Sequence, residues 1–315
     1  MRSLVRLLLV AAMVGGAALA DDKVELKFNP EFKTGNVVRQ VGETKVDQTL
    51  TLAGQDIDTK VESFTATRET VGEATSDGKT TLGGEFEYFI VDLQTPVGTF
   101  KFDSANASGK DQAQGPLAPL YDVFEATSKA KWIATLNSKP EIESIEFDGN
   151  PFEGLDPNAK SEITPERFKQ EFNTQLQRYP DGPVAVGDTW KRTEESQIGS
   201  GQVLKYEKEF KYLGSETKDG KTFDRIDVKT LSVDYSIGAG SQLPLTLNSS
   251  DLKITSSEGL MLYDRNLKQV TAQNENVQIE GDLEFTIKLN GQEQKLPGKL
   301  KLNIVSKQTT EPNAK

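Results

Sequence analysis

No cysteine and no histidine occur anywhere in the 315 residues. The first absence removes disulfide frameworks, thiol nucleophiles, iron–sulfur clusters and lipid-carrying cysteines. The second removes Ser-His-Asp and Cys-His triads, and with them the imidazole ligands on which most zinc sites depend. Apolar residues are also scarce, at 35% of the chain. Any chemistry must therefore run on carboxylates, Lys, Arg, Tyr, Ser and Thr. No spacing of these marks a catalytic set, so the expectation is a non-enzyme with no metal ligand and no cofactor.

Long apolar runs are confined to the first twenty residues. Arg2 and Arg6 flank the start of a run from Leu7 to Val14, and small residues end in Ala18-Leu19-Ala20. A basic region, a short apolar region and an A-x-A site predict a secretory signal peptide over 1–20, cleaved after Ala20. The run is shorter than the ~20 residues of a transmembrane helix, and Asp21-Asp22-Lys23 follows directly. Cleavage removes two of the 37 basic residues and none of the 48 acids, taking the net charge from −11 to −13 on a chain twenty residues shorter. A periplasmic or secreted, soluble monomer is expected. A field of that sign opposes binding to nucleic acid or anionic lipid, and no later stretch is apolar enough to span a membrane.

Alternation of period two dominates the rest. Val46, Leu50 and Leu52 follow it, as do Phe86, Tyr88 and Ile90, then Phe100 and Phe102. So do Leu204, Tyr206, Phe210 and Tyr212, then Leu283, Phe285, Ile287 and Leu289, then Leu300, Leu302 and Ile304. Each run turns one apolar face inward and one polar face to water, the pattern of antiparallel sheets. Between Lys221 and Ile237 the apolar phase moves from Ile226 and Val228 to Leu231, Val233 and Tyr235. A β-bulge near Lys229-Thr230, or a strand bending between two sheets, accounts for the change. Asp77-Gly78, Asp219-Gly220 and Asn290-Gly291 are hairpin signals, the last placing a C-terminal hairpin whose second strand carries Pro297-Gly298 near its start.

One segment departs from this pattern. Thr164 suits an N-cap and Pro165 the first helical position; Phe168, Phe172 and Leu176 recur every fourth residue before Tyr179-Pro180. This predicts an amphipathic helix of about four turns near 164–178, docking its Phe stripe on a sheet. A shorter helix over Leu117 to Thr127 would carry Leu120, Val123 and Phe124.

The chain also repeats itself. Gly72-Glu73-Ala74-Thr75-Ser76-Asp77-Gly78-Lys79-Thr80 returns as Gly214-Ser215-Glu216-Thr217-Lys218-Asp219-Gly220-Lys221-Thr222, and Gly35-Asn36-Val37-Val38-Arg39 is echoed by Gly187-Asp188-Thr189-Trp190-Lys191. Convergent hairpin chemistry is one explanation and duplication into two similar halves is the other. A phosphate loop is excluded, because here Gly-Lys-Thr opens a strand. The expected fold is mainly β, with antiparallel sheets in two similar halves and one linking helix. Its divisions are the signal peptide at 1–20, a β-rich half at 21–160, helix and linker at 161–180, a second β-rich half at 181–305 and a flexible tail at 306–315.

Tyr179-Pro180-Asp181-Gly182-Pro183-Val184-Ala185-Val186-Gly187-Asp188-Thr189-Trp190 resembles a segment of a family of exported, β-rich bacterial envelope proteins without an agreed activity, in which a helix leads into Pro-Val-x-x-Gly-Asp-x-Trp. The resemblance implies export and a mostly β fold, and it transfers no catalytic residue. Many relatives look lipid-anchored through a Cys that this chain lacks. Read physically, the prolines hold extended backbone, Gly187-Asp188 turns, and Trp190 anchors the first strand of the second half. The functional alternative places Tyr179, Asp188 and Trp190 in a groove between halves, where aromatic rings beside a carboxylate would suit a sugar or peptide.

Two acidic stretches, Glu141, Glu143 and Glu146, then Glu194, Glu195 and Glu207, are formally available for acid/base work but read as the wet faces of strands. Asn106-Ala107-Ser108 and Asn248-Ser249-Ser250 fit the glycosylation acceptor pattern of exposed loops. Three function classes remain: a non-catalytic envelope protein that binds a partner or has a structural role, a periplasmic carrier of a lipid or other apolar ligand in a curved sheet, and a carboxylate-dependent glycan hydrolase.

Overall fold

The computed structural model describes residues 23–75, 77–106, 117–137, 141–156, 163–199, 201–218, 220–237, 245–289 and 292–312. The expected signal peptide, Ala107 and Ser108 of the first acceptor pattern, Asp219 and Asn290-Gly291 lie outside those residues.

The alternating runs become twelve strands. The first half carries β1 (Val37–Leu52), β2 (Gln55–Ala74), β3 (Thr80–Thr95), β4 (Gly98–Asp103), α1 (Pro119–Lys129), β5 (Lys131–Leu136) and β6 (Ile142–Phe147). After α2 (Pro165–Leu176) come β7 (Thr189–Gly199), β8 (Gln202–Lys218), β9 (Lys221–Ile237), β10 (Leu245–Asp264), β11 (Gln269–Leu289) and β12 (Gln292–Pro312). All join one sheet in the order β6-β5-β3-β2-β1-β12-β11-β10-β9-β8-β7, with β4 attached to β3. The chain is thus mainly β and antiparallel, with the linking helix where the Phe spacing put it. The halves meet where β1 pairs with β12, from Val38 opposite Pro312 to Leu52 opposite Gly298. Both copies of the repeat form the same hairpin of their half, β2–β3 and β8–β9, and each upstream echo opens the half's first strand.

The sheet curls round on itself. β5 and β10 are six steps apart along it, about 29 Å if it were flat at ~4.8 Å per step. Yet Ala134 and Leu136 of β5 line the same cavity as Met261 of β10. At the other end of the strands, Leu204, Tyr206, Val233, Tyr235, Ile279, Phe285 and Leu302 form one core against Val46 and Leu50 of β1. The alternate positions carry ion pairs instead, among them Arg39–Glu87 at 2.5 Å, Lys45–Glu62 at 3.0 Å and Arg68–Glu87 at 3.7 Å. That polarity is opposite to the apolar outer band of a membrane barrel. Among the described residues no helix is long and apolar enough to cross a membrane.

The two edge strands, β6 and β7, are neighbours in sequence but terminate opposite ends of the sheet, and α2 lies between them. Unpaired edges expose backbone donors and acceptors. Asn173 of α2 satisfies part of one edge, accepting from the Ile142 N–H at 2.7 Å and donating to the Ile142 carbonyl at 3.0 Å. On the other side Arg192 of β7 donates to the carbonyls of Gln177 and Tyr179, at 2.8 and 2.5 Å. Thr164 caps the helix through its side chain, accepting from the Arg167 N–H at 3.3 Å. Phe168, Phe172 and Leu176 pack on Val71, Leu82, Trp132 and Ala134. The helix has 12 residues, about three turns rather than four, because it is capped at Gln177 two residues before Tyr179-Pro180.

The β-bulge expected near Lys229-Thr230 is present: Leu231, expected to face inward, is instead the unpaired residue, 40% exposed, between the pairs Lys208–Thr230 and Glu207–Ser232, and the apolar phase resumes at Val233. There the backbone ladder to β10 has ended, and the Thr230 N–H donates to Ser257 Oγ at 2.7 Å instead. Tyr88 is 45% exposed: an irregularity opposite Ala66/Thr67 carries the inward face of β3 from Phe86 to Phe89 and Val91. Residues 306–312 are not a tail but the end of β12, held between β1 and, as far as Thr309, β11.

Candidate ligand cavity

The strands' phase brings polar side chains inward at a few places. In β2, Ile57, Val61, Thr65 and Thr67 are followed on the same face by Glu69 and then Val71. Glu69 is 6% exposed. Among the described residues its side chain has one hydrogen bond, accepted from Gln40 Nε2 at 3.5 Å. Burial pushes its carboxyl up to about 7, against which the Gln40 amide works weakly. It faces a cavity of about 100 Å3 under α2.

The walls are mostly apolar. Phe28 and Phe32 of the N-terminal segment, Leu82 of β3, Leu136 of β5, Phe172 and Leu176 of α2, and Met261 and Val270 beyond them supply the surface. The roof is crossed by a chain of amides: Gln308 Nε2 of β12 donates to Gln40 Oε1 of β1 at 3.0 Å and to Gln175 Oε1 of α2 at 3.3 Å.

One wall is charged. Arg178, just past α2, lies against a buried network on β7, β8 and β11. Its Nε and Nη2 donate to Glu194 at 2.7 and 2.8 Å, and its Nη1 donates to Gln273 Oε1 at 2.7 Å. Lys208 meets Glu194 at 3.0 Å and Glu275 at 2.5 Å. Burial opposes charge on both Arg178 and Glu194, but their neighbours outweigh it: the guanidinium is raised by Glu194 and Glu275, and the Glu194 carboxyl is held below its ordinary range by Arg178 and Lys208. The network therefore consumes its own charges and leaves Glu69 as the carboxyl that faces apolar surface. Another buried acid, Asp224 of β9, is likewise consumed, by Arg265 at 2.6 Å, Tyr212 at 2.6 Å and Ser215 at 2.8 Å.

Of the residues singled out from the sequence, Tyr179 lines the cavity. Its hydroxyl accepts from the Val270 N–H at 3.1 Å and is pushed up by burial. Asp188 is exposed and closes a turn, its Oδ2 accepting from the Ala185 N–H at 2.9 Å. Trp190 stacks on Phe210 at 5.7 Å and donates from Nε1 to the Arg178 carbonyl at 2.7 Å. The last two do not line the cavity with Tyr179; they brace the strand that holds Arg178 in place. Of the acidic stretches, Glu143 pairs with Lys79, Glu195 with Lys205 and Glu207 with Lys191 on exposed surface, whereas Glu194 is buried. Glu69, Lys208, Glu275 and Asp224 were legible only as charged residues standing in an apolar phase, as Lys208 does between Tyr206 and Phe210.

No protein-family model and no curated protein matches the chain. Among solved structures, one of lipovitellin described by its lipid–protein interactions is similar over 90% of this chain, at 8% identity and a TM-score of 0.40. The chain spans about a quarter of that protein's length, 26%. An outer membrane channel from Pseudomonas putida F1 aligns over 92% of this chain and all of its own, at 8% identity and a TM-score of 0.22. OccK7 of Pseudomonas aeruginosa aligns over 88% of this chain and all of its own, at 7% and 0.22. At TM-scores below 0.5 these likenesses carry no argument about ligand or location.

Proposed function

We propose that the chain is an exported, non-catalytic binding protein that carries an apolar ligand with one hydrogen-bonding group in the cavity under α2. The observation that carries this reading is Glu69, a carboxyl nearly without partners on the wall of an apolar cavity. A buried polar group left unpaired costs about 1–3 kcal/mol, which a ligand group able to pair with it would recover. Burial favours the protonated form of the carboxyl, which donates as well as accepts. The pairing of Glu194, Glu275 and Asp224 with cations supports a non-catalytic role, since it leaves none of them in acid/base partnership with Glu69.

Calorimetric titration with 1-decanol tests the reading. Saturable binding is expected, and Ala272→Leu, which fills the cavity from β11, removes it. A folded chain that takes up no decanol, and that yields no apolar compound on organic extraction, overturns the proposal.

A further inference from the structure

On the other flank of α2 lies an open cleft of about 450 Å3, which shares Gln40, Phe172, Gln175 and Gln308 with the cavity. Cavity and cleft are thus adjacent spaces separated by the amide bridge of Gln40, Gln308 and Gln175. The cleft is walled by aromatic rings, Phe86 and Trp132 with centroids at 5.3 Å and Trp132 and Phe168 at 6.4 Å.

Trp132 is 2% exposed, and its Nε1 is buried with no hydrogen-bond partner among the described residues. Buried indole N–H groups are ordinarily paired. The ring is held there by design of the sheet, because it lies over Gly84 of β3, where any Cβ would overlap the indole. Lys307 stands at the same cleft, exposed, and Thr44, Thr65 and Thr67 add hydroxyls. Among the described residues the acid at the cleft is Glu171, approached by Arg167 at 3.8 Å.

We infer that the cleft is the head-group compartment of the proposed cavity: the ligand is a single-chain amphiphile polar at both ends, whose carboxylate or carbonyl head accepts from Trp132 Nε1 while its chain passes under α2 and sets the hydrogen-bonding group of the reading above against Glu69. This rests on the binding reading above and adds the class of ligand and the residue that recognises it. A chain entering the cavity would displace Gln175, whose side chain is carried on the exposed flank of the helix and can exchange its bond for water.

The experiment is titration of the 15N-labelled chain with sodium decanoate and with methyl decanoate, reading the two indole N–H signals by NMR, with Trp132 assigned through Trp132→Phe. Decanoate is expected to move the Trp132 signal downfield and leave that of Trp190, which is already bonded to the Arg178 carbonyl. Trp132→Phe is expected to weaken both probes about tenfold, the loss of one hydrogen bond from a buried donor. Lys307→Gln weakens decanoate and leaves methyl decanoate unchanged if the charge is what Lys307 reads. Binding of decanoate with an unmoved Trp132 signal, and equal affinity in Trp132→Phe, overturns the head-group assignment while the cavity reading stands. Failure of decanol, decanoate and the ester alike overturns both. Gly84→Ala, which displaces the ring without removing it, is expected to reproduce the effect of Trp132→Phe.

Discussion

Arg178 clasps Glu194 with two donors, at 2.7 and 2.8 Å, and so fastens the end of the linking helix to the sheet edge that follows it in sequence. The pair is buried, with side chains 12% and 7% exposed, and Lys208 adds a second cation 3.0 Å from the same carboxylate. Its energetic weight lies in what is left when one partner goes.

Arg178→Met therefore strands a buried carboxylate, and about 3–5 kcal/mol of stability is expected to be lost. Replacing Glu194 by Leu in the same chain is expected to recover part of it. Urea midpoints of the two single variants and the double variant measure this, and additive losses would show that the two residues do not act as a unit.

Glu194 and Glu69 give opposite pH dependences. The Glu194 carboxyl is held below its ordinary 4.5, so its contribution is present above pH 4.5 and lost as the pH falls through the lower native value. Glu69 is raised from 4.5 to about 7, so the native state keeps a proton that the unfolded chain has released. Stability is then full below pH 4.5, declines towards pH 7 and levels off, a difference of about 3 kcal/mol. Unfolding of Glu69→Gln is expected to lack this decline. A variant whose profile between pH 5 and 8 parallels the parent chain would contradict the assignment.

Asp224 of β9 has a fully buried side chain that takes bonds from Tyr212, Ser215 and Arg265. Asp224→Ala leaves a buried hydroxyl and a guanidinium without their acceptor, at an expected cost of about 3 kcal/mol. Asp224→Asn, which keeps the shape and loses the charge, is expected to cost less. Thermal unfolding of both variants orders the two effects.

Export is checked directly. Expressed with its leader in a bacterium, the chain is expected in the periplasmic fraction with Asp21 at its N-terminus, by mass spectrometry of the intact protein. A retained leader in the membrane fraction would count against the signal-peptide reading.

The two repeat copies occupy matched places, each at the hairpin between the second and third strands of its half, β2–β3 and β8–β9. The order along the sheet also has one sense throughout, β6 down to β1 and then β12 down to β7.

Much of the local structure was written in the residues themselves. Thr164 and Pro165 start a helix because a side-chain oxygen and a fixed φ meet the needs of its first turn, and Phe168 and Phe172 face the sheet because they recur every four residues. Leu204 and Phe210 point inward because strands alternate with period two. What the sequence alone left open is long-range. That β1 pairs with β12, that the sheet curls until β5 faces β10, and that α2 covers the gap between β6 and β7 depend on contacts between residues far apart in the chain, for which no local periodicity carries a signal. The cavity belongs to that second kind of information. Glu69 and Trp132 are ordinary members of separate alternating strands, and only the closure of the sheet under the helix removes water from both and leaves a carboxyl and an indole N–H wanting partners.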